Sequence, residues 1–108
     1  MAKTEDKIQD FTAFWPYYLG EHRNAKNRAL HYTGTTLAIC VITATFILSN
    51  PWLLLGAPLC GYGFAWVGHF FIEQNRPATF TYPFWSLYAD FKLYTMFVTC
   101  RLSADPDF

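Results

Sequence analysis

Two long apolar stretches separated by a short polar break dominate the pattern of this 108-residue sequence. The first occupies residues 30–48, in which no charged residue occurs after position 30. At 1.5 Å per residue, a helix over 30–48 is roughly 28 Å long, close to the thickness of a bilayer's hydrocarbon core. The second occupies residues 52–72, and the Asn50-Pro51 pair between the two breaks the helix. The pattern therefore predicts a transmembrane helical hairpin.

A shorter helix is expected before the hairpin. Asp10 is a suitable N-cap for a helix over residues 11–19 that Gly20 ends, and Asn24 is a suitable N-cap for the first long helix. The residues between Asp10 and Gly20 are rich in aromatic side chains. This composition suits both a segment lying at the membrane interface and an aromatic core helix.

A third apolar segment follows the hairpin, at residues 84–102. It predicts a helix that either lies in the membrane interface or spans the membrane with Asp90 turned inward. The expected fold is all-α: an integral membrane protein built on a transmembrane helical hairpin, with flanking interfacial or additional membrane helices. We expect a flexible N-terminus over 1–9, a single membrane-embedded helical domain over 10–102 and a C-terminal tail over 103–108.

Composition supports a membrane class. Hydrophobic residues make up 53% of the chain and aromatic residues 20%, which is high for a small soluble domain. A soluble helical protein would have to bury two adjacent runs of about 20 apolar residues in a short chain. Basic and acidic residues balance at eight each, which argues against a nucleic-acid partner. The glycines of the second run permit close helix packing, with two of them, Gly61 and Gly68, on one face.

Basic residues indicate the orientation. The connector between the long helices contains no Lys or Arg, whereas basic residues precede the first helix and follow the second. By the positive-inside rule, the N-terminus and the end of the hairpin that carries the histidines are cytoplasmic. The membrane would be the inner membrane in a bacterium or the endoplasmic reticulum in a eukaryote. No cleavable signal peptide is expected from the acidic N-terminus.

The chain has three histidines, and a hairpin brings all of them to one end. His69 and Glu73 are four residues apart, so they project from the same face of a helix. His22 and His31 are nine apart, so they converge only if the chain bends between them, which a cap at Asn24 would allow. We predict a metal site of these histidines and Glu73.

Such a site suits Fe(II), with Mn(II) or Zn(II) as alternatives, because it is rich in nitrogen and has one carboxylate. Asp90 is a further candidate as a ligand or as a hydrogen-bond partner of a ligand. Each histidine also has a structural interpretation, as a side chain that hydrogen-bonds to headgroups or to the backbone.

Four other residues are candidates for contacts with substrate. Arg28 and Arg76 can bind a fatty carboxylate or a lipid headgroup, although basic residues at this depth are also ordinary topology signals. Tyr62 and Trp66, one helical turn apart, can line an acyl channel or take part in aromatic packing between helices.

These motifs together resemble a known family. The residues that carry the resemblance are His22-Arg23-Asn24, His31, Gly68-His69, Glu73, Arg76-Pro77-Ala78-Thr79, Tyr82-Pro83, Ser86-Leu87 and Asp90. The chain resembles, over about residues 11–102, the small membrane family that includes the fungal 2-hydroxy fatty acid dioxygenase. The resemblance implies an Fe(II)-dependent membrane enzyme of fatty acid α-oxidation, which uses dioxygen to shorten a 2-hydroxy fatty acid by one carbon.

The resemblance also assigns site residues. The family's histidines fall on His22, His31 and His69, and its glutamate falls on Glu73. The chain departs from the family at Glu21, where the fungal member has another histidine, so Glu21 is a further candidate ligand. A non-catalytic membrane protein that binds a metal, haem or lipid is the alternative. The expected partners are membrane lipid, the 2-hydroxy fatty acid, dioxygen and, because three helices are few to enclose a site, a homo-oligomer.

Overall fold

The computed structural model describes residues 8–108, and these form helices without any strand. Its α-helices are α1 (Phe11–Gly20), α2 (Ala25–Ile47), α3 (Gly56–Val67) and α4 (Pro83–Val98). The prediction of an all-α fold is confirmed for this part of the chain. Of the N-terminus expected to be flexible, residues 1–7 lie outside the described residues.

The chain divides into two compact units. One, here called the hairpin unit, is His22–Pro77 and contains α2 and α3. The other, here called the aromatic unit, combines residues 8–21 with Ala78–Phe108 and contains α1 and α4.

Helix α2 begins and ends where local chemistry predicts. The Asn24 side chain accepts a hydrogen bond from the Lys26 backbone N–H at 2.8 Å, which satisfies one of the unpaired donors of the first turn. After the helix ends at Ile47, Ser49 adopts a left-handed conformation with φ 51°. Asn50 then accepts from the Trp52 N–H, and a 3₁₀ turn, Pro51–Leu55, starts the return segment. The predicted N-cap and the predicted break at Asn50-Pro51 are both confirmed.

The return segment is helical throughout but changes its winding. The 3₁₀ turn leads into α3, and α3 leads into a π-helical turn, Gly68–Glu73. Gln74, in the left-handed conformation with φ 59°, ends this turn. The sequence predicted the extent of this helix but not its widened last turn.

Glycines allow α2 and the return segment to approach closely at two points. A Cβ on Gly34 would lie 2.7 Å from the Cys60 carbonyl oxygen, and a Cβ on Gly68 would overlap the side-chain oxygen of Asn27. Gly61 was expected to share a packing face with Gly68, but a Cβ on Gly61 would meet nothing within 4 Å. The Gly61 carbonyl oxygen nevertheless lies 3.3 Å from a Cβ added to Gly34, so the backbone of Gly61 faces α2 although its own Cβ position is open.

Two helical stretches are long and apolar enough to cross a membrane: Ala25–Ile47 and Pro51–Glu73, each of 23 residues with mean hydropathies of 1.4 and 1.2. In each stretch, only 17% of the most apolar 18-residue part is buried within the chain. A core helix of a soluble protein would be mostly buried. Large apolar side chains are exposed along both, among them Phe46 and Leu59. Helix α4 has 16 residues and is not one of these stretches.

Aromatic packing holds the aromatic unit together. Asp10 caps α1 by accepting from the Ala13 N–H, as predicted. Phe14 and Tyr18 are completely buried, and the Phe14 ring packs against Tyr82 and Trp85 with centroids 5.2 and 5.6 Å away. Of the two interpretations of α1, this burial favours the aromatic core helix. In the same helix, Trp15 Nε1–H donates to Asp105. That bond connects α1 to the segment expected as a tail.

Candidate metal centre

Three different local structures present the histidines, all within the hairpin unit. His22 lies in the loop just before the N-cap of α2, His31 lies in the second turn of α2, and His69 lies in the π-helical turn. All three side chains are buried, with 1%, 6% and 2% of their surface exposed. The loop before α2 supplies the bend that the nine-residue spacing of His22 and His31 requires.

The imidazole rings converge on one another through their Nε2 atoms. His22 Nε2 lies 3.0 Å from His31 Nε2 and 3.0 Å from His69 Nε2. The rings are nearly perpendicular in each pair, with interplanar angles of 81°, 82° and 88°. One nitrogen from each of the three side chains lies within 4.8 Å of the others.

Neighbouring acceptors determine where two of the rings carry their protons. His31 Nδ1–H donates to the Asn27 carbonyl oxygen at 2.9 Å, and His69 Nδ1–H donates to Asn75 Oδ1 at 2.6 Å. A neutral imidazole with its proton on Nδ1 has a lone pair on Nε2. The Nε2 atoms of His31 and His69 therefore both present lone pairs to His22.

This proton distribution fits a bound cation. A proton on His22 Nε2 can be donated fully to only one of its two neighbours at 3.0 Å, so at least one of these close nitrogen–nitrogen contacts lacks a good hydrogen bond. Two nitrogen ligands about 2.1 Å from a metal ion and about 90° apart are about 3.0 Å from each other. The donor set and its spacing thus fit a divalent metal held by three Nε2 atoms, with coordination positions left for other ligands.

Glu73 is directed toward the start of α2 in this arrangement. Its Oε2 accepts from the Asn24 backbone N–H at 2.6 Å and from Asn27 Nδ2 at 3.2 Å. It is not a member of the convergent group formed by the three histidines. The structure therefore places the predicted carboxylate beside the site, bonded to the loop and helix that carry His22 and His31.

Arg28 also supports the loop. Its Nη1 donates to the carbonyl oxygens of His22 and Arg23, both at 2.8 Å. This guanidinium nitrogen holds the backbone of a candidate ligand in place, and the substrate binding expected of Arg28 stays a prediction. Arg76, the other basic candidate, is exposed.

Four further residues were predicted as ligands or substrate contacts. Glu21 and Asp90 belong to the aromatic unit, where Glu21 ends α1 and the Asp90 carboxylate accepts from the Tyr18 hydroxyl. Burial of the Asp90 carboxyl raises its pKa to about 7, an effect that the Tyr18 bond opposes only partly. Tyr62 and Trp66, both in α3, pack against each other with ring centroids 5.8 Å apart, and their contact with substrate stays a prediction.

Two site features were not predicted from the sequence. Asn75 determines the proton position of His69, but an asparagine in a turn-rich segment has the same pattern as an ordinary turn residue. The π-helical turn that carries His69 was also missed, although such turns are frequent at functional sites. The one signal in the sequence that could have found Asn75 is its place just after the end of the helix that carries His69.

Comparison with known families gives a match over most of the chain. The family described as 2-hydroxy-palmitic acid dioxygenase Mpo1-like matches residues 8–102, a range that includes the three histidines and Glu73. No curated protein and no solved structure matches the chain.

Proposed function

The chain belongs to the Mpo1-like family, and from this premise we propose that it is a membrane-bound, Fe(II)-dependent dioxygenase that shortens 2-hydroxy fatty acids by one carbon. The observation that carries the proposal is the buried group of three histidines whose Nε2 atoms converge. A neutral nitrogen donor set of this kind suits Fe(II), with Mn(II) and Zn(II) as alternatives.

The residues of the chain would hold and shield the metal. His22, His31 and His69 would bind it through Nε2, while Asn27 and Asn75 keep protons on the far nitrogens of two rings. Bound Fe(II) would supply the redox chemistry with dioxygen that cleaves the bond between the carboxyl carbon and C2 of the substrate. Burial of the three rings limits access of bulk water to the site.

A fatty acid substrate agrees with the exposed apolar surface of the hairpin unit. We place α2 and the return segment across a membrane, with the N-terminus and histidine end on the cytoplasmic side, as the distribution of basic residues predicts. A substrate tail that stays in lipid keeps about 0.8 kcal/mol of favourable burial per methylene group. The carboxyl end would then reach the histidines at the membrane surface. Self-association stays a prediction.

Metal content tests the site first. We would purify the wild type and the variants His22→Ala, His31→Ala and His69→Ala in detergent without oxygen and measure iron in each. We expect about one iron per chain in the wild type and a loss of iron in each variant. Gly63→Ala is a suitable control, because a Cβ at this position meets nothing within 4 Å. Equal iron in all five proteins would contradict the proposed ligands.

Oxygen consumption tests the reaction. The iron-loaded wild type should consume dioxygen with 2-hydroxypalmitate and release a product one carbon shorter, but not with palmitate, which lacks the 2-hydroxyl group. The same three-histidine group also supports a non-catalytic metal-binding protein. Retained iron without substrate-dependent oxygen consumption would favour that second function, and a haem absorption band would favour a haem-binding protein.

A further inference from the structure

Glu73 occupies a position from which it can hold the two histidine-bearing segments together. Its Oε2 accepts from the backbone N–H of Asn24, the N-cap of α2, and from the side-chain amide of Asn27. These partners are 49 and 46 residues away in the sequence, so both bonds connect the π-helical turn to the start of α2.

Asn27 connects both segments to the histidines. Its carbonyl oxygen accepts the Nδ1 proton of His31, and its side chain, completely buried, donates to Glu73. The side-chain oxygen has no N–H or O–H partner and lies against the Cα of Gly68, where a Cβ would overlap it. A weak Cα–H···O contact is the interaction available to that oxygen.

We propose that Glu73 is a positioning residue and not a metal ligand: with Asn27 and Gly68 it sets the separation of His31 and His69. The proposal rests on the metal binding assumed in the proposed function. It follows from the bonds of the carboxylate, because Oε2 accepts from the loop and helix that carry His22 and His31, and Glu73 does not belong to the convergent group of histidines. It differs from the assignment that sequence spacing and family resemblance give to Glu73.

The charge of the ligand set follows from this arrangement. Three imidazoles are neutral ligands, so with Glu73 held beside the site the protein supplies no anionic ligand to the metal. An anionic chelating ligand, such as the carboxylate and hydroxyl of a 2-hydroxy acid, then meets no competing protein carboxylate. We therefore expect the metal-loaded site to bind 2-hydroxycarboxylates more tightly than uncharged 2-hydroxy amides.

Cobalt(II) binding to three variants separates positioning from ligation. Glu73→Gln keeps an oxygen that can accept from Asn24 and Asn27, so its Co(II) affinity should stay within about threefold of the wild type and its visible spectrum should be unchanged. Glu73→Ala removes the acceptor and should weaken Co(II) binding about 10- to 100-fold. Asp107→Asn, which removes an exposed carboxylate, is the matched charge control.

Two outcomes would overturn the proposal. A glutamine variant that loses Co(II) as strongly as the alanine variant, with a shifted absorption band, would make Glu73 a ligand. Wild-type affinity in Glu73→Ala would show that the bonds to Asn24 and Asn27 do not matter for the site. Thermal unfolding of each metal-free variant identifies any that fails to fold, and Asn27→Ala, which should weaken Co(II) binding by a similar factor, provides a second variant.

A double-mutant cycle tests the connection itself. If Glu73 acts through Asn27, the double variant Asn27→Ala/Glu73→Ala should bind Co(II) no more weakly than the worse single variant. Fully additive losses would contradict the shared action of the two side chains. A wild type that binds Co(II) but consumes no oxygen when iron-loaded would refute the proposed function and leave this inference intact. A wild type that binds no Co(II) would refute both.

Discussion

Gly34→Ala tests whether the close packing of α2 on the return segment stabilises the hairpin. Gly34 is buried, and a Cβ added there would lie 2.7 Å from the Cys60 carbonyl oxygen and 2.9 Å from the Phe64 Cβ. Favourable contacts of a methyl group begin at about 3.5 Å, so the two helices would have to separate by roughly 0.6–0.8 Å at this point. Neither neighbouring atom is at the end of a flexible side chain, so neither can rotate away.

The expected magnitude follows from two opposing effects. Overpacking of this kind costs about 1–3 kcal/mol, whereas replacing glycine by alanine within a helix contributes about 1 kcal/mol of stability. Gly63→Ala has the same helical gain without the clash, since nothing lies within 4 Å of its added Cβ. The free energy of unfolding should therefore be about 1–3 kcal/mol lower in Gly34→Ala than in Gly63→Ala, because the propensity terms cancel.

Unfolding in mixed micelles provides the assay. Each variant, purified in a mild detergent, is titrated with sodium dodecyl sulfate, and unfolding is followed by the fluorescence of the four tryptophans and by helical circular dichroism. The linear dependence of the free energy on the denaturing detergent gives the difference between the variants. Unfolding free energies within about 0.5 kcal/mol of each other would refute the reasoning that Gly34 is required for the close approach.

Three further predictions concern other groups. Because the pKa of Asp90 is raised to about 7 in the folded protein, its protonated form stabilises the fold at low pH, and this contribution falls as the pH rises from about 4 to about 7. Asp90→Asn should remove this loss of stability at high pH, so the unfolding temperatures at pH 5 and pH 8 should differ less in the variant than in the wild type. An equal difference in both proteins would contradict this prediction. Arg28→Gln should weaken Co(II) binding about tenfold because the His22 loop loses its support, whereas an equal effect in Arg101→Gln would point to overall charge instead. Asn75→Ala should also lower Co(II) affinity, by about 10- to 100-fold, while Asn75→Asp, which keeps the acceptor for His69, should retain most of it.

Local sequence rules accounted for the helices of this chain. Apolar runs, the caps at Asp10 and Asn24 and the Asn50-Pro51 break act over a few residues, so they could be recognised without knowing the fold. They predicted α1, α2 and the helical hairpin closely, and the end of α4 less well, because the predicted segment 84–102 includes a separate turn after Val98. The same runs account for the two stretches that are long enough to cross a membrane.

The sequence alone determined that this chain is helical, where its long helices turn, and that its three histidines gather at one end of a hairpin. Only the tertiary structure decided which nitrogen each ring directs inward, and that Glu73 faces Asn24 and Asn27. The physical reason is the range of the interactions. Caps and apolar runs depend on near neighbours in the chain, whereas the bonds of Glu73 depend on how α2 docks on the return segment and on the glycines that let it come close.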